Sequence, residues 1–257
     1  MAETTPLLEM QGITKRFGAV RALNGVDFRV MPGEVVGLVG DNGAGKSTLV
    51  KVISGIHPAD EGEYLWNGQK AKVNVPQDAT GLGIATVYQD LALCDNLDVV
   101  ENLYLGRESV AGGLLDEVVM ENKANELLAE LSVTTIQSVR GEVGAMSGGQ
   151  RQSVAIARSL LGEPKMVILD EPTAALGVAQ TAQVLALIKR LKGRGLGVIV
   201  ISHNLRDIFE VVDRIFVMRL GTGGGEFDIK ATNEQEVVAA ITGLTGDNRK
   251  TEGTVTS

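Results

Sequence analysis

The sequence predicts an α/β chain: a mostly parallel sheet covered by helices on both faces, an N-terminal antiparallel β-region, and an inserted α-helical lobe. Three observations lead there. Four short runs, Val35–Val39, Ile84–Gln89, Met166–Leu169 and Val198–Ser202, are rich in β-branched and apolar residues, as strands buried on both faces are. Between the second and third runs, residues 99–162 space their apolar side chains as helices do and show little strand character. Ahead of the first run, Leu8-Glu9-Met10 and Val26-Asp27-Phe28-Arg29-Val30 alternate apolar with polar, the pattern of antiparallel strands with one wet face.

In chain order, Val35–Val39 leads through glycine-rich residues into a helix from about Lys46 through Ile53. The lobe carries helical patterns over Asn122–Leu131 and Gln150–Leu161. Gly221 to Gly225 reads as a turn between two late strands, and Asn233 to Ile241 as a final helix. The expected organisation is one domain over residues 1–257, with 7–98 and 163–241 forming the core and antiparallel region, 99–162 the lobe, and 247–257 a polar, flexible tail.

Composition narrows the function classes. Hydrophobic residues are 44% and charged residues 22% of the 257, which excludes disordered and fibrous proteins. The 32 glycines are nearly twice the usual share of roughly 7%, and imply tight turns or close backbone approach to a ligand. A net charge of −8 argues against nucleic acid as a partner. The single Cys94 cannot form an internal disulfide, which fits a reducing cytosol. No signal peptide is expected from Met1–Glu9, and no apolar run approaches the roughly 20 residues that cross a bilayer. The mean hydropathy of +0.12 is nevertheless high for an acidic soluble chain, as expected of one with partner surfaces to cover.

Gly40-Asp41-Asn42-Gly43-Ala44-Gly45-Lys46-Ser47-Thr48 matches G-x-x-x-x-G-K-[ST] between a predicted strand and a predicted helix. Glycines let consecutive N–H groups turn toward phosphates, and the helix N-terminus adds its dipole. Lys46 is expected on the β- and γ-phosphates, the Ser47 hydroxyl on Mg²⁺ and Thr48 on the α-phosphate. The core is therefore expected to be that of a P-loop NTPase. Met166–Leu169 ends in Asp170-Glu171, and ligands gather at the carboxyl ends of parallel strands. Asp170 is expected to hold the Mg²⁺ shell and Glu171 to polarise the attacking water. His203 and Gln89 end two other strands: an imidazole to orient water, and an amide to contact metal and water. Each of these also has a bland reading, His203 as packing and the acid pair as a solvated loop. His57 precedes Pro58 in a polar turn and reads as surface.

In the lobe, Met146-Ser147-Gly148-Gly149-Gln150 is a serine cap with glycines exposing N–H groups, a second anion site best explained by the nucleotide of another subunit. The order of phosphate loop, Gln89, Ser147-Gly148-Gly149-Gln150, Asp170-Glu171 and His203 resembles the nucleotide-binding subunit of an ATP-binding cassette transporter, over about Leu7 to Ile241. The resemblance implies a head-to-tail homodimer in which Ser147, Gly149 and Gln150 act on the partner copy's ATP, and Phe17 stacks on adenine. By residue type alone, one aromatic beside a β-turn reads as core.

The sequence departs from the family twice. Met146 replaces the usual leucine, a volume-conserving change. Ala174-Ala175-Leu176-Gly177 replaces a Ser-Ala-Leu-Asp segment, so Gly177 lacks the carboxylate that couples the two sites. Residues 37–42, 88–97 and 171–178 are similar to bacterial monosaccharide importers, the single-cassette fructose type among them. That implies a peripheral ATPase on the cytoplasmic face of the inner membrane, acting through separate permease subunits and, indirectly, a solute-binding protein. The permease is expected on the loop from Gln89 to about Val99, where Leu91, Leu93 and Leu97 are either interface or ordinary lobe packing. The alternatives are an importer of branched-chain amino acids or another small solute, and a non-transport ATPase in DNA repair or translation. The span from Lys46 to Ser147 lacks the sustained heptads that a DNA-repair ATPase carries.

Overall fold

The computed structural model describes residues 5–244. Strand β1 (Leu8–Phe17) and β2 (Val20–Val30) form a long hairpin, followed by β3 (Val35–Gly40) and helix α1 (Lys46–Ile53). Next come β4 (Glu61–Trp66), β5 (Gln69–Lys70), α2 (Pro76–Leu82) and β6 (Ile84–Val87). The lobe segment holds α3 (Val99–Tyr104), a small hairpin of β7 (Val110–Ala111) and β8 (Leu114–Leu115), α4 (Glu117–Glu130) and α5 (Gly148–Leu160). The chain continues with β9 (Met166–Asp170), α6 (Val178–Gly193), β10 (Gly197–Ile201), α7 (Leu205–Val211), β11 (Arg214–Arg219), β12 (Thr222–Asp228) and α8 (Glu234–Thr242).

The central sheet has the order β12-β11-β3-β10-β9-β6, parallel except where β12 pairs antiparallel with β11. Its four inner and edge strands β3, β10, β9 and β6 are the apolar runs seen in the sequence. Alternation explains why those runs are apolar throughout: Val35, Val39, Val167, Leu169, Val198 and Val200 enter one core, beside α5 and α6. Val36, Leu38, Ile168, Ile199 and Ile201 enter the other, against α1 and the antiparallel sheet β2-β1-β4-β5.

Three expectations need correction. The antiparallel region is longer than the two fragments read from the sequence, because register shifts between Met10 and Ile13, Ile13 and Lys15, and Lys15 and Arg16 break the alternation. Gly223 to Gly225 lie inside β12, and the turn is at Leu220-Gly221; Gly223 is compatible with strand because a Cβ there would lie 3.2 Å from the Phe216 ring, which fills its place. Strand β6 stops at Val87, two residues early, so Gln89 lies beyond it. The hairpin β7-β8 is too short for any periodicity to announce. The expected tail, 247–257, lies outside the described residues.

Candidate active site

Six segments meet at the carboxyl edge of the central sheet around a cavity of about 820 Å³. Its lining includes Asn42 to Thr48, Gln89, Asp170, Glu171 and His203. Among the sequence-predicted residues, Gly40, Asp41, Phe17, Ser147, Gly149 and Gln150 are not part of that wall.

The phosphate loop is set by three left-handed glycines, Gly40 (φ 150°), Gly43 (φ 77°) and Gly45 (φ 107°). At Gly40 the need is also packing, since a Cβ would collide with the Met218 carbonyl of β11. Lys46 opens α1 and folds back, its Nζ donating to the carbonyls of Gly40 at 2.7 Å and Asp41 at 2.9 Å. Burial lowers the Lys46 pKa from its ordinary value, opposed by the nearby Glu171, Asp41 and Asp170.

Asp170 ends β9, opposite Ile201 of β10. Burial raises its pKa, the Glu171 charge raises it further, and Lys46 and Lys51 pull it back. Glu171 adopts a left-handed backbone (φ 50°), unusual for a side chain with a Cβ, and its N–H is held by the Ile201 carbonyl at 2.9 Å. Its Oε2 is buried, with His203 Nδ1 at 2.8 Å; the contact is an ion pair only when the imidazole is protonated. The His203 side chain is 78% exposed, whereas that of Glu171 is 16% exposed.

The donor set suits a magnesium ion carried on phosphates. Ser47 Oγ, the Asp170 carboxylate and the Gln89 amide bring hard oxygen atoms to one wall, and among the described residues no group of three or more His, Cys, Asp and Glu forms a self-sufficient cage.

The lobe presents its own anchored loop. Ser147 Oγ accepts from Gln150 N at 3.4 Å, Gln150 Oε1 accepts from Ser147 N at 2.8 Å, and Gln150 Nε2 donates to Thr135 O at 2.6 Å. Ser147 and Gly148 are exposed. Gly149 is buried for packing: a Cβ there would lie 2.9 Å from Gln180 Cβ of α6.

The wall also contains residues that no sequence motif marked: Val20, Arg21 and Ala22 of β2, Ile201, and Leu220-Gly221 at the β11–β12 turn. They come from segments remote in sequence, and topology alone gathers them. Phe17 stands beside this wall, as the strand partner of Val20. It is 43% exposed, unlike a core aromatic. His57 is half-buried rather than a plain surface residue, and packs against the Phe17 ring with centroids 5.1 Å apart.

The family model for the ABC transporter matches residues 23–174, a span containing the phosphate loop, Gln89, the Ser147–Gln150 loop and the Asp170-Glu171 pair. This chain belongs to the ABC transporter family. It is 44% identical over 245 residues to the fructose import ATP-binding protein of Rhizobium meliloti, covering 93% of this chain and 94% of that one. It is also 44% identical over 236 residues to the xylose/arabinose import ATP-binding protein of Sulfolobus acidocaldarius, covering 92% and 94%. A ribose import ATP-binding protein of Rubrobacter xylanophilus is 43% identical over 90% of this chain but only 46% of its own length. Among solved structures, an ABC transporter cassette in its ADP conformation superposes with a TM-score of 0.78 at 28% identity, covering 93% of this chain and 96% of that one. A dimeric cassette bound to ADP and Pi superposes with a TM-score of 0.72 at 26% identity, covering 88% and 100%.

A second concavity of about 410 Å³ lies between the sheet edge and the lobe, lined by Thr86, Tyr88, Asp90, Leu105, Arg107 and Arg158 among others. Arg158 staples the loop beyond Gln89, donating to the Leu91 carbonyl at 2.6 Å and the Ala92 carbonyl at 2.8 Å. Leu91 and Leu93 pack partly against the core.

Proposed function

We propose that this chain is the ATP-hydrolysing subunit of a bacterial monosaccharide importer of the fructose, ribose or xylose type. The observation that carries the site is the convergence of Lys46, Ser47, Gln89, Asp170, Glu171 and His203 on one cavity at the sheet edge. In this reading the loop from Gly40 to Gly45 cradles the triphosphate, with Asp41, Asn42, Gly43 and Ala44 contributing backbone N–H groups. Lys46 neutralises the β- and γ-phosphates and Thr48 meets the α-phosphate. Ser47, Asp170 and Gln89 would hold Mg²⁺, which supplies charge neutralisation of the phosphates when bound.

Glu171 accepts a proton from the water that attacks the γ-phosphorus, as the bond to the bridging oxygen of ADP breaks and phosphate forms. The Nδ1 of His203 stands 2.8 Å from Glu171 Oε2, beside the water that this carboxylate would polarise. Its exposed ring is available to the γ-phosphate.

The Ser147-Gly148-Gly149-Gln150 segment is held by its own hydrogen bonds, exposed at Ser147 and Gly148, and absent from the wall of its own chain's cavity, which supports its action on the ATP of a second copy packed head to tail. The core over 7–98 and 163–241 and the lobe over 99–162 then close around two nucleotides. The groove beside the 89–99 loop would receive a helix of the membrane permease, placing the subunit on the cytoplasmic face of the inner membrane. No helix among the described residues is long and apolar enough to cross a membrane. The monosaccharide class is supported by the names of relatives matched over nearly their whole length.

Ser147→Arg tests the arrangement. It is expected to abolish hydrolysis while leaving ATP binding to the same chain unchanged. Loss of binding by the variant would refute the assignment of Ser147 to the partner's nucleotide. Uptake of a panel of labelled monosaccharides in cells lacking the subunit tests the cargo, and unimpaired uptake of all of them would refute it.

A further inference from the structure

Resting on the stacking role of Phe17 implied by the family resemblance, we propose that Lys15 and Asp60 are positioning residues that fix one face of the Phe17 ring, leaving its opposite face to the base of the nucleotide. Lys15 is 9% exposed, a rare state for lysine. It lies between two register shifts of β1, which turn it inward at the point where strand alternation fails. Its Nζ sits 2.7 Å from Asp60 Oδ1 and 5.7 Å from the Phe17 ring centroid.

Asp60 in turn grips the strand along three consecutive residues. Its N–H donates to the Thr14 carbonyl at 2.9 Å, Oδ1 receives Lys15, and Oδ2 accepts from the Arg16 N–H at 2.6 Å. His57, three residues before Asp60, meets the same ring edge-on at an interplanar angle of 73°. The segment 57–60 therefore reaches Phe17 twice, directly through His57 and indirectly through the Asp60–Lys15 pair.

An apolar side chain would fill the position of Lys15 without the desolvation that a charge incurs. What the lysine adds is a cation against the π-face, which holds the ring in one orientation. Lys15, the buried member, lies over one face of the ring. The ring itself is 43% exposed, and its strand partner Val20 lines the cavity. Every base has a π-face, so such a platform supplies affinity for a base without selecting its identity.

The test is calorimetric titration of the full chain with MgATP and with inorganic tripolyphosphate, which has no base. Phe17→Ala is expected to weaken ATP about tenfold and leave tripolyphosphate unchanged. Lys15→Met is expected to weaken ATP roughly threefold, again without effect on tripolyphosphate, and Lys15→Arg to retain the parent affinity. Asp60→Asn, at the more exposed end of the pair, is expected to reproduce the Lys15→Met loss with Lys15 in place. If Phe17→Ala weakens ATP and neither Lys15→Met nor Asp60→Asn does, the positioning role is refuted. Equal weakening of both ligands by Lys15→Met or Asp60→Asn refutes it too, as a general disturbance of the fold. If Phe17→Ala leaves the ratio of the two affinities unchanged, the stacking role itself fails.

Discussion

Gly177→Asp is expected to stabilise the ligand-free protein by about 1 kcal/mol. Gly177 is the N-cap of α6, a helix of 16 residues, and has no side chain to accept from the first-turn N–H groups, although Gln180 Oε1 accepts from the Gly177 N–H at 3.3 Å. Its backbone, φ −73° and ψ 164°, is open to any L residue, and a Cβ added there meets nothing within 4 Å. Removing glycine's freedom from the unfolded chain contributes about 0.4–1 kcal/mol. Asp caps better than Gly by a few tenths, and a carboxylate at an exposed helix N-terminus adds about 0.3–1 kcal/mol; these overlap, which keeps the sum near the lower end. For a chain of this size the melting temperature is expected to rise by about 2–4 °C in differential scanning calorimetry. Gly177→Ala restricts the backbone equally but caps poorly, so it is expected within a few tenths of a kcal/mol of the parent. An unchanged or lower melting temperature for Asp, or an equal gain for Ala, would refute the capping argument.

Glu171→Gln is expected to abolish ATP turnover while retaining ATP binding and trapping a nucleotide-bound dimer, read by size-exclusion chromatography; hydrolysis at the parent rate would remove Glu171 as the base. Asp170→Asn is expected to raise the melting temperature of the ligand-free protein at neutral pH and to abolish Mg-dependent hydrolysis. The sign follows from the raised pKa of Asp170: its contribution to stability is present below the unfolded pKa and lost as pH rises through the folded one, so the advantage of Asn shrinks on acidification. A gain that grows toward low pH would contradict this. Asn102 is fully buried, accepts from Cys94 N at 2.8 Å, and donates to the carbonyls of Cys94, Leu97 and Asp98 at 3.0, 3.2 and 2.9 Å. Asn102→Leu is therefore expected to cost about 2–4 kcal/mol in urea denaturation and to open the 94–98 loop to proteolysis; a loss under about 0.5 kcal/mol would show those bonds to be dispensable.

The central strands were legible because burial on both faces leaves a continuous apolar run, and the phosphate loop because backbone geometry dictates its glycines. The start of α6 was not, for the reason that makes Gly177 improvable: a helix that opens on Gly177 with a fully exposed Val178 carries no cap signal. Helix α3 did carry one, the reciprocal Asp98 and Glu101 pair at 2.7 and 2.9 Å, but its six residues are too short for periodicity to stand out. In the site, the motif-bearing residues could be named from the chain. Val20, Arg21 and Leu220 could not, since they reach the cavity only through the pairing of distant strands and belong to no local pattern.

The folding back of Lys46 onto Gly40 and Asp41 bears on how an ATPase holds its nucleotide. A side chain already bonded to two carbonyls gives up those bonds to take a phosphate, so each arrival is an exchange whose net gain is smaller than the bare attraction of opposite charges. With the phosphate role proposed for Lys46, the loop thus tempers how tightly the phosphates are held.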